Sequence, residues 1–294
     1  MSTNHVRWTV TNTARQGILG LSSFAWILLV PALAGAQELY DLPYGPEPQQ
    51  KLDLCLPSTP TLAPAVVMIH GGGWSGGTKE SFRPWCKLFA SKGIVAVTVS
   101  YQLADGSRIG AWPAQLNDVE EAGAWLSEHA SQYNVDPGKI CAFGNSAGGH
   151  IALMLGSGEP TTRRKFKPAC IVDNWGVVDL TYPPPVSGAL RKLIPDVSDA
   201  DRSLGAKALS PLNGVGADFP PVFVAQGTLD QLVPPAQSEA LVQNLKANKV
   251  PYELVEFQGG HEMVGLEADE KSAILELEIA FVRRSGRRLM TVRQ

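Results

Sequence analysis

A serine flanked by glycines carries the clearest chemical signal in this chain. The segment Gly144–Gly148, with the sequence GNSAG, follows the apolar stretch 139–143 and precedes a helix-forming stretch at 149–155. A Gly-x-Ser-x-Gly turn between a strand and a helix is typical of a nucleophile elbow, where small residues relieve the crowding around a strained serine. Ser146 is therefore the candidate nucleophile. An incidental serine in a Gly-rich turn is the alternative.

A second glycine-rich segment favours the catalytic interpretation. The sequence HGGGW at His70–Trp74 follows the continuous apolar run 65–69, which has the length of a strand. Consecutive glycines allow backbone N–H groups to turn inward, and an acyl-transfer enzyme needs such donors for its oxyanion. A phosphate-binding turn is the alternative, but neither the G-x-G-x-x-G nor the G-x-x-x-x-G-K-[ST] spacing is present.

A serine nucleophile also needs a base and an acid. Histidine is the usual base. Of the five histidines, His261 follows an alternating apolar segment and two glycines, which places it on a loop after a strand. In hydrolases with a nucleophile elbow the chain order is serine, acid, histidine. Asp230, after the apolar run 221–227, is the candidate acid. Asp179, after the run 169–173, is the rival.

Taken together, these motifs resemble those of the α/β-hydrolase family, in particular small bacterial esterases related to hormone-sensitive lipase and to feruloyl or acetyl-xylan esterases. The resemblance implies that the N–H groups of Gly72 and Gly73 hold the oxyanion with that of Ala147. One departure is Gln102, where related esterases often carry arginine. The matching segments are 70–74, 100–103, 144–150, 227–230 with Val233 and Pro234, and 259–261.

The elements around these motifs predict one α/β domain. Apolar strand segments alternate with helical ones such as 113–133, which indicates a mostly parallel central sheet with helices on both faces. The catalytic domain is expected to span residues 37–294, with a small lid insertion around 176–218. That insertion is too short for a large cap domain, so we expect an open active site. Trp74, beside the oxyanion glycines, is expected to offer a flat wall to the substrate.

The N-terminal segment predicts export. Arg7 and Arg15 precede an apolar stretch, and no charged residue occurs between positions 16 and 37. Small residues at Ala34 and Ala36 form a cleavage pattern, so residues 1–36 are interpreted as a Sec-type signal peptide cut after Ala36. The protein would then be secreted or periplasmic. An uncleaved membrane anchor is the alternative, and it would be the only contact with a membrane.

Composition and cysteine spacing narrow the remaining functional classes. The chain has 25 Lys and Arg against 28 Asp and Glu, a formal net charge of −3, and no basic stripe suggests nucleic acid. None of the four cysteines has C-x-x-C spacing, so no metal and no cofactor are expected. Cys141 and Cys170 lie in apolar segments, where they are either buried thiols or disulfide partners. The sequence assigns no pairing among the four cysteines.

These observations predict a serine esterase that forms an acyl-enzyme. Its expected substrates are small-molecule or saccharide esters with short acyl chains, acetyl or feruloyl decorations among them. An amidase or arylformamidase, or a serine peptidase, would use the same triad. A non-catalytic hydrolase-fold binding protein is the third possibility, although such proteins generally lack a triad member. Fold by itself does not separate these classes.

Overall fold

The computed structural model describes residues 6–10, 37–59, 61–107, 110–157, 165–182, 187–195 and 197–285. Apart from 6–10, the segment interpreted as a signal peptide lies outside the described residues, and so does the proposed cleavage position at Ala36. None of the helices in the described ranges is long and apolar enough to cross a membrane.

One sheet of nine strands forms the centre of the described structure, in the order β1-β9-β8-β7-β6-β4-β5-β3-β2. The strands at 63–69, 95–99 and 222–227 are short and mostly apolar, whereas the strand at 135–145 is longer and polar at its start. The predicted α/β fold with a mostly parallel sheet is confirmed. The six inner parallel strands are β4 (Ala63–Ile69), β5 (Val95–Val99), β6 (Val135–Asn145), β7 (Ile171–Asn174), β8 (Val222–Gly227) and β9 (Tyr252–Phe257).

The edges of the sheet differ from each other. At one edge β2 (Gln37–Pro43) and β3 (Lys51–Leu56) are antiparallel to each other, and β3 is antiparallel to β5. At the other edge β1 (Val6–Val10) pairs in parallel with β9. Strand β1 falls inside the segment interpreted as a signal peptide, so cleavage after Ala36 would leave β9 as the edge strand.

Helices cover both faces of the sheet. In β4 alternate side chains enter two cores: Val67 packs with α2 and α3, whereas Met68 packs with α1 and α7. Burial on both faces explains why these strands are continuous apolar runs instead of alternating ones. The α-helices in the described ranges are α1 (Arg83–Ser91), α2 (Ala114–Glu128), α3 (Ala147–Ser157), α4 (Ser187–Leu193), α5 (Asp199–Ala208), α6 (Pro235–Ala247) and α7 (Ala268–Ser285).

All four cysteines form disulfides. Cys55 on β3 pairs with Cys86 on α1, and Cys141 on β6 pairs with Cys170, directly before β7. The sequence left these pairings open. Each disulfide lies in the core and ties a strand to its structural neighbour.

The predicted insertion at 176–218 contains the two short helices α4 and α5 followed by a 3₁₀ turn at Pro211–Gly214. Its apolar side chains Leu193, Ala206 and Leu209 are buried in the same core as α2 and α3. A backbone bond also attaches it to the rest of the domain, because the Trp112 N–H, in the segment before α2, donates to the Leu193 carbonyl at 2.9 Å. This part of the chain is therefore docked on the sheet domain.

Candidate active site

Ser146 occupies a strained turn between β6 and α3. Its φ of +54° lies in the left-handed region, which is costly for a residue with a side chain and is common at nucleophile elbows. The Ser146 N–H donates to the Asn174 carbonyl at 2.9 Å, and the His150 N–H donates to the Ser146 carbonyl at 3.1 Å. The turn is thus fixed from the neighbouring strand β7 and from the first turn of α3.

The glycines of the motif are required by close backbone approach. A Cβ added to Gly144 would lie 2.1 Å from the Gly148 carbonyl oxygen. A Cβ added to Gly148 would lie 2.0 Å from the Ile69 carbonyl oxygen at the end of β4. The elbow and the segment that follows β4 are therefore in direct contact, which brings the two glycine-rich motifs together.

The structure pairs Asp230 with His261. His261 Nδ1 donates to Asp230 Oδ2 at 2.7 Å. The other carboxylate oxygen, Oδ1, accepts the N–H groups of Leu232 at 2.8 Å and Val233 at 2.9 Å. Asp230 is buried with all of these bonds, so it is held rigidly. Because Nδ1 carries the proton, Nε2 of His261 is the nitrogen left free to accept one.

His261 reaches from its own strand back toward the nucleophile. It follows β9, two strands beyond β7 in the sheet order, yet its ring packs edge-on against Trp175 with 6.3 Å between centroids. Trp175 directly follows β7, the neighbour of β6, which carries Ser146. Within the described residues no hydrogen bond joins Ser146 Oγ to His261. Such bonds are often long in enzymes without substrate.

Asp179, the rival acid, is engaged elsewhere. Its Oδ1 accepts the Thr181 N–H at 2.8 Å and the Thr181 hydroxyl at 2.6 Å. Its backbone carbonyl and N–H both bind the side chain of Gln237. Asp179 thus stabilises a turn at the start of the insertion, and Asp230 is the carboxylate that contacts the histidine.

The oxyanion segment, residues 70–74, lies against the elbow. A Cβ added to Gly71 would lie 3.3 Å from the Ser146 Cβ. Gly72 and Gly73 have φ values of +115° and +58°. In the described part of the chain, the N–H groups of Gly72, Gly73 and Ala147 have no hydrogen-bond acceptor. Ala147 is the first residue of α3, where the helix dipole adds to the attraction for a negative oxygen.

His70 supports the oxyanion segment through a ring stack and two hydrogen bonds. Its ring stacks on Tyr101 with 4.3 Å between centroids, and its Nδ1 donates to the Gly71 carbonyl at 2.8 Å. The Tyr101 hydroxyl donates to the His70 carbonyl at 2.8 Å. Burial lowers the pKa of His70, so the ring is neutral at pH 7. It braces the loop and takes no part in proton transfer.

An ion cluster around the buried Lys79 and Asp53 anchors the chain that follows the oxyanion segment. Lys79 Nζ contacts Asp53 Oδ1 at 2.7 Å and Glu80 Oε1 at 2.8 Å. Arg83 Nε contacts the second oxygen of Asp53 at 2.7 Å. Asp53 lies on β3, so these bonds tie the chain that leaves the oxyanion segment to the edge of the sheet.

The expected role of Trp74 as a substrate wall is wrong in this structure. The indole is only 2% exposed and belongs to the core. Its Nε1 donates to His150 Nδ1 at 3.1 Å. An apolar ring on a strained loop is stabilised by burial, and the available space lies inward, beside α3. Trp74 therefore presents no face to a substrate.

His150 and Tyr101 are the supporting residues that the sequence did not single out for this site. The link between His150 and Trp74 is not visible from their spacing in the sequence. The position of His150 four residues after Ser146, on the same helix face, was the available signal. No group of three or more His, Cys, Asp or Glu residues in the described ranges is arranged to hold a metal.

Comparisons with known proteins agree with this geometry. The family model described as BD-FAE matches residues 52–245. Esterase LipQ of Mycobacterium tuberculosis is 28% identical over 291 residues, which covers 89% of this chain and 68% of LipQ. The chain spans about half the length of several other curated esterases that it matches.

Two solved structures of hydrolases are similar in sequence and in fold. Esterase 2 of Thermogutta terrifontis, phosphoramylated by tabun, is 26% identical with a TM-score of 0.69, and the match covers 86% of this chain and 95% of that one. An acetyl ester-xyloside bifunctional hydrolase from Caldicellulosiruptor lactoaceticus is 26% identical with a TM-score of 0.65, covering 79% and 87%.

Proposed function

The chain belongs to the BD-FAE family of α/β-hydrolase esterases, and on that premise we propose that it hydrolyses short-chain carboxylic esters with Ser146 as the nucleophile. The observation that carries the proposal is the bond between His261 Nδ1 and Asp230 Oδ2. It fixes the histidine tautomer that a serine hydrolase requires.

The mechanism follows from this arrangement. Ser146 Oγ attacks the ester carbonyl carbon while its proton passes to His261 Nε2. The ester C–O bond then breaks, and Nε2 gives the proton to the departing alcohol. Water, activated by the same nitrogen, cleaves the acyl-enzyme. Asp230 stays ionised throughout, and it stabilises the imidazolium that forms in each half-reaction.

The oxyanion is stabilised by the N–H groups of Gly72, Gly73 and Ala147. These groups have no acceptor in the described part of the chain, so they are available without rearrangement. Donors fixed in advance stabilise developing charge more effectively than mobile water. No metal or organic cofactor enters the proposed reaction.

We propose acetylated or feruloylated saccharides as the natural substrates. One support is similarity to the acetyl ester-xyloside bifunctional hydrolase from Caldicellulosiruptor lactoaceticus. Another is the docked insertion, which is held to the domain by core packing and by hydrogen bonds and does not open to enclose a long acyl chain. Leu229 and Val264, both more than half exposed, flank the loops of Asp230 and His261, so an apolar part of the substrate has a surface to contact there.

Export to an oxidising compartment is part of the proposal. The N-terminal sequence supports it, and so do the two disulfides, which persist mainly in secreted or periplasmic proteins. Polymeric saccharide esters are found outside the cell, where such an enzyme would meet them.

The proposal is tested by turnover and by labelling. The full protein and its Ser146→Ala variant are assayed on p-nitrophenyl acetate, acetylated xylan and p-nitroacetanilide, with Ser91→Ala on α1 as the matched control. We expect ester turnover to fall by ~10⁴ or more only in Ser146→Ala. A fluorophosphonate probe should label Ser146 in the unmodified protein. Labelling at another serine, or faster cleavage of the anilide than of the ester, would overturn the assignment.

A further inference from the structure

His150 connects the helix of the nucleophile to the oxyanion segment. It lies in the first turn of α3, and its own N–H donates to the Ser146 carbonyl. Its position in the helix is therefore fixed relative to Ser146. The ring is completely buried and points toward the segment that follows β4.

Both ring nitrogens of His150 are used, and the partners define the tautomer. The Trp74 indole N–H donates to Nδ1 at 3.1 Å, so Nδ1 is an acceptor. Nε2 lies 2.8 Å from the Leu209 carbonyl, which only accepts, so Nε2 carries the proton. Burial lowers the pKa of His150 to about 4, against the hydrogen bond to Leu209 that raises it. At neutral pH the ring is therefore neutral and Nδ1 remains available.

Trp74 transmits this connection to the amides of the oxyanion segment. Gly72, Gly73 and Trp74 all have positive φ values, so no regular helix or strand holds them in place. Trp74 is held at two points: its carbonyl accepts the Ala104 N–H at 2.8 Å, and its indole binds His150. The Gly72 carbonyl, in the same peptide plane as the Gly73 N–H, accepts the N–H groups of Ser75 at 3.2 Å and Gly76 at 2.9 Å, so residues 72–76 form one turn, and Trp74 fixes that turn at both points.

The other side of His150 connects to the docked insertion. Leu209 directly follows α5, and its buried carbonyl accepts the Nε2 proton. The ring of Trp112, in the segment before α2, lies 5.2 Å from the His150 ring. One imidazole thus joins the elbow, the oxyanion segment and the insertion in the interior of the protein.

We propose that His150 is a positioning residue that aims the Gly72 and Gly73 amides at the oxyanion through its hydrogen bond with Trp74. The inference rests on the proposed function, because it assigns a task in that reaction. A shift of about 1 Å in a group that stabilises the transition state costs about 100-fold in rate. Loss of the His150–Trp74 bond should therefore lower kcat and leave the KM for substrate nearly unchanged.

A double-mutant cycle separates this task from general packing. Trp74→Phe removes the N–H donor and keeps an aromatic ring, and His150→Leu removes the acceptor and keeps the volume. We expect each variant to lower kcat on p-nitrophenyl acetate by about 10- to 100-fold with KM within about twofold. The kcat of the double variant should be within about twofold of that of His150→Leu, because both variants lose the His150–Trp74 bond and the bond from Nε2 to the Leu209 carbonyl.

Inhibition by phenylboronic acid provides a second measurement. Its boron becomes tetrahedral on the serine oxygen and places an oxygen where the oxyanion forms. The inhibition constant should rise in each variant in proportion to the loss of kcat/KM. A variant damaged only in packing would lose thermal stability without this proportionality. Where His150→Leu does not fold, His150→Phe, which also lacks an acceptor, replaces it in the same cycle.

The control is a second histidine–tryptophan pair away from the site. His129 stacks on Trp125 with 4.2 Å between centroids and binds its carbonyl through Nδ1. His129→Leu and Trp125→Phe should leave kcat within about twofold. Additive losses in the cycle, or an unchanged kcat in folded His150→Leu and Trp74→Phe, would refute the inference. If unmodified protein lacks Ser146-dependent ester turnover, the proposed function fails instead.

Discussion

At the scale of single residues, this site depends on backbone groups as well as on the side chains of Ser146, Asp230 and His261. Asp230 illustrates the point, because two backbone N–H groups hold one carboxylate oxygen and leave the other for His261. A carboxylate fixed in this way has no freedom to turn from the imidazole. The loop after β8 therefore sets the histidine tautomer in advance, and the tautomer needs no adjustment during the reaction.

Replacing this carboxylate should reveal which aspartate acts in the triad. Asp230→Asn keeps the shape of the side chain, but its amide can donate to Nδ1 and favour the wrong tautomer. We expect kcat for ester hydrolysis to fall by about 10⁴. Asp179→Asn, the matched control at the start of the insertion, should change kcat by less than about threefold. Steady-state kinetics of both variants gives the ranking, and the opposite ranking would transfer the acid to Asp179.

The sequence was sufficient to propose the candidate residues whose chemistry is written in local motifs. Ser146 and His261 follow from a turn pattern and from chain order, and Asp230 from its place after a strand. It was insufficient for Trp74 and His150. Whether a tryptophan beside glycines faces solvent or core depends on the packing of α3 and of the insertion against the loop. Those contacts join positions that are far apart in the chain, and spacing does not encode them.

At the scale of secondary-structure elements, helix α7 brings an unusual buried acid to the sheet. Glu278 is fully buried, and neither carboxylate oxygen has a hydrogen-bond partner by geometric criteria within the described residues. Burial raises the pKa of Glu278 to about 8, although the nearby Asn174 side chain lowers it. Asn174 also contacts Asn145, the residue before Ser146. The acid is thus neutral at pH 7 behind the elbow.

This burial predicts a pH dependence of stability. The folded-state pKa lies above the usual value of 4.5, so the ionised form favours unfolding. Stability from this group is complete below pH 4.5 and is lost as the pH rises through about 8, by about 5 kcal/mol in total. Glu278→Gln removes the titration and keeps the shape. Between pH 5 and pH 9, the free energy of unfolding should therefore fall by several kcal/mol less in the variant.

Urea denaturation at both pH values measures this difference. Asp173, whose pKa burial raises to about 7, contributes a loss of the same sign in both proteins and cancels in the comparison. Equal losses in the two proteins would mean that Glu278 ionises in the folded state without cost. The apolar patterns of α7 and β7 predict their burial, but an acid inside such a pattern gives no local sign that it lies in the core.

At the scale of the whole molecule, two disulfides connect neighbouring parts of the sheet domain. Each closes a segment of about 30 residues, with sequence separations of 31 and 29. Cross-links of that length stabilise a domain by about 3–4 kcal/mol each in the chain-entropy model. All four cysteines are in the core, so the folded protein should protect both bonds from a mild reductant.

We therefore expect a thiol reagent to find no free cysteine in protein denatured without reductant, and four after reduction. The midpoint of urea denaturation should fall markedly when a strong reductant is present. Two double variants separate the contributions of the two disulfides to stability. One combines Cys141→Ala with Cys170→Ala, and the other combines Cys55→Ala with Cys86→Ala. Free thiols in the protein purified from an oxidising compartment would contradict the pairing. The sequence contains the four cysteines but does not predict which of them pair, because pairing depends on which strands are neighbours.

The way the insertion is attached argues for short acyl chains. Its apolar side chains are part of the main core, and His150 and Gln237 bind its backbone from α3 and α6. A segment held in this way does not open to enclose a long chain. A fatty acyl group needs apolar walls that replace water at ~0.8 kcal/mol per methylene, and Trp74, the one wall expected from the sequence, is buried.

We therefore expect kcat/KM on p-nitrophenyl esters to be highest for acyl chains of about two to four carbons. Longer chains should give no further gain, since each added methylene stays in water, whereas a walled tunnel would raise kcat/KM by up to about fourfold per methylene. Ser146→Ala provides the background rate for each ester. A steady rise from four to twelve carbons would contradict a docked insertion and indicate a segment that moves to cover the chain. A flat profile with high activity on acetylated xylan would favour recognition of the saccharide over the acyl group.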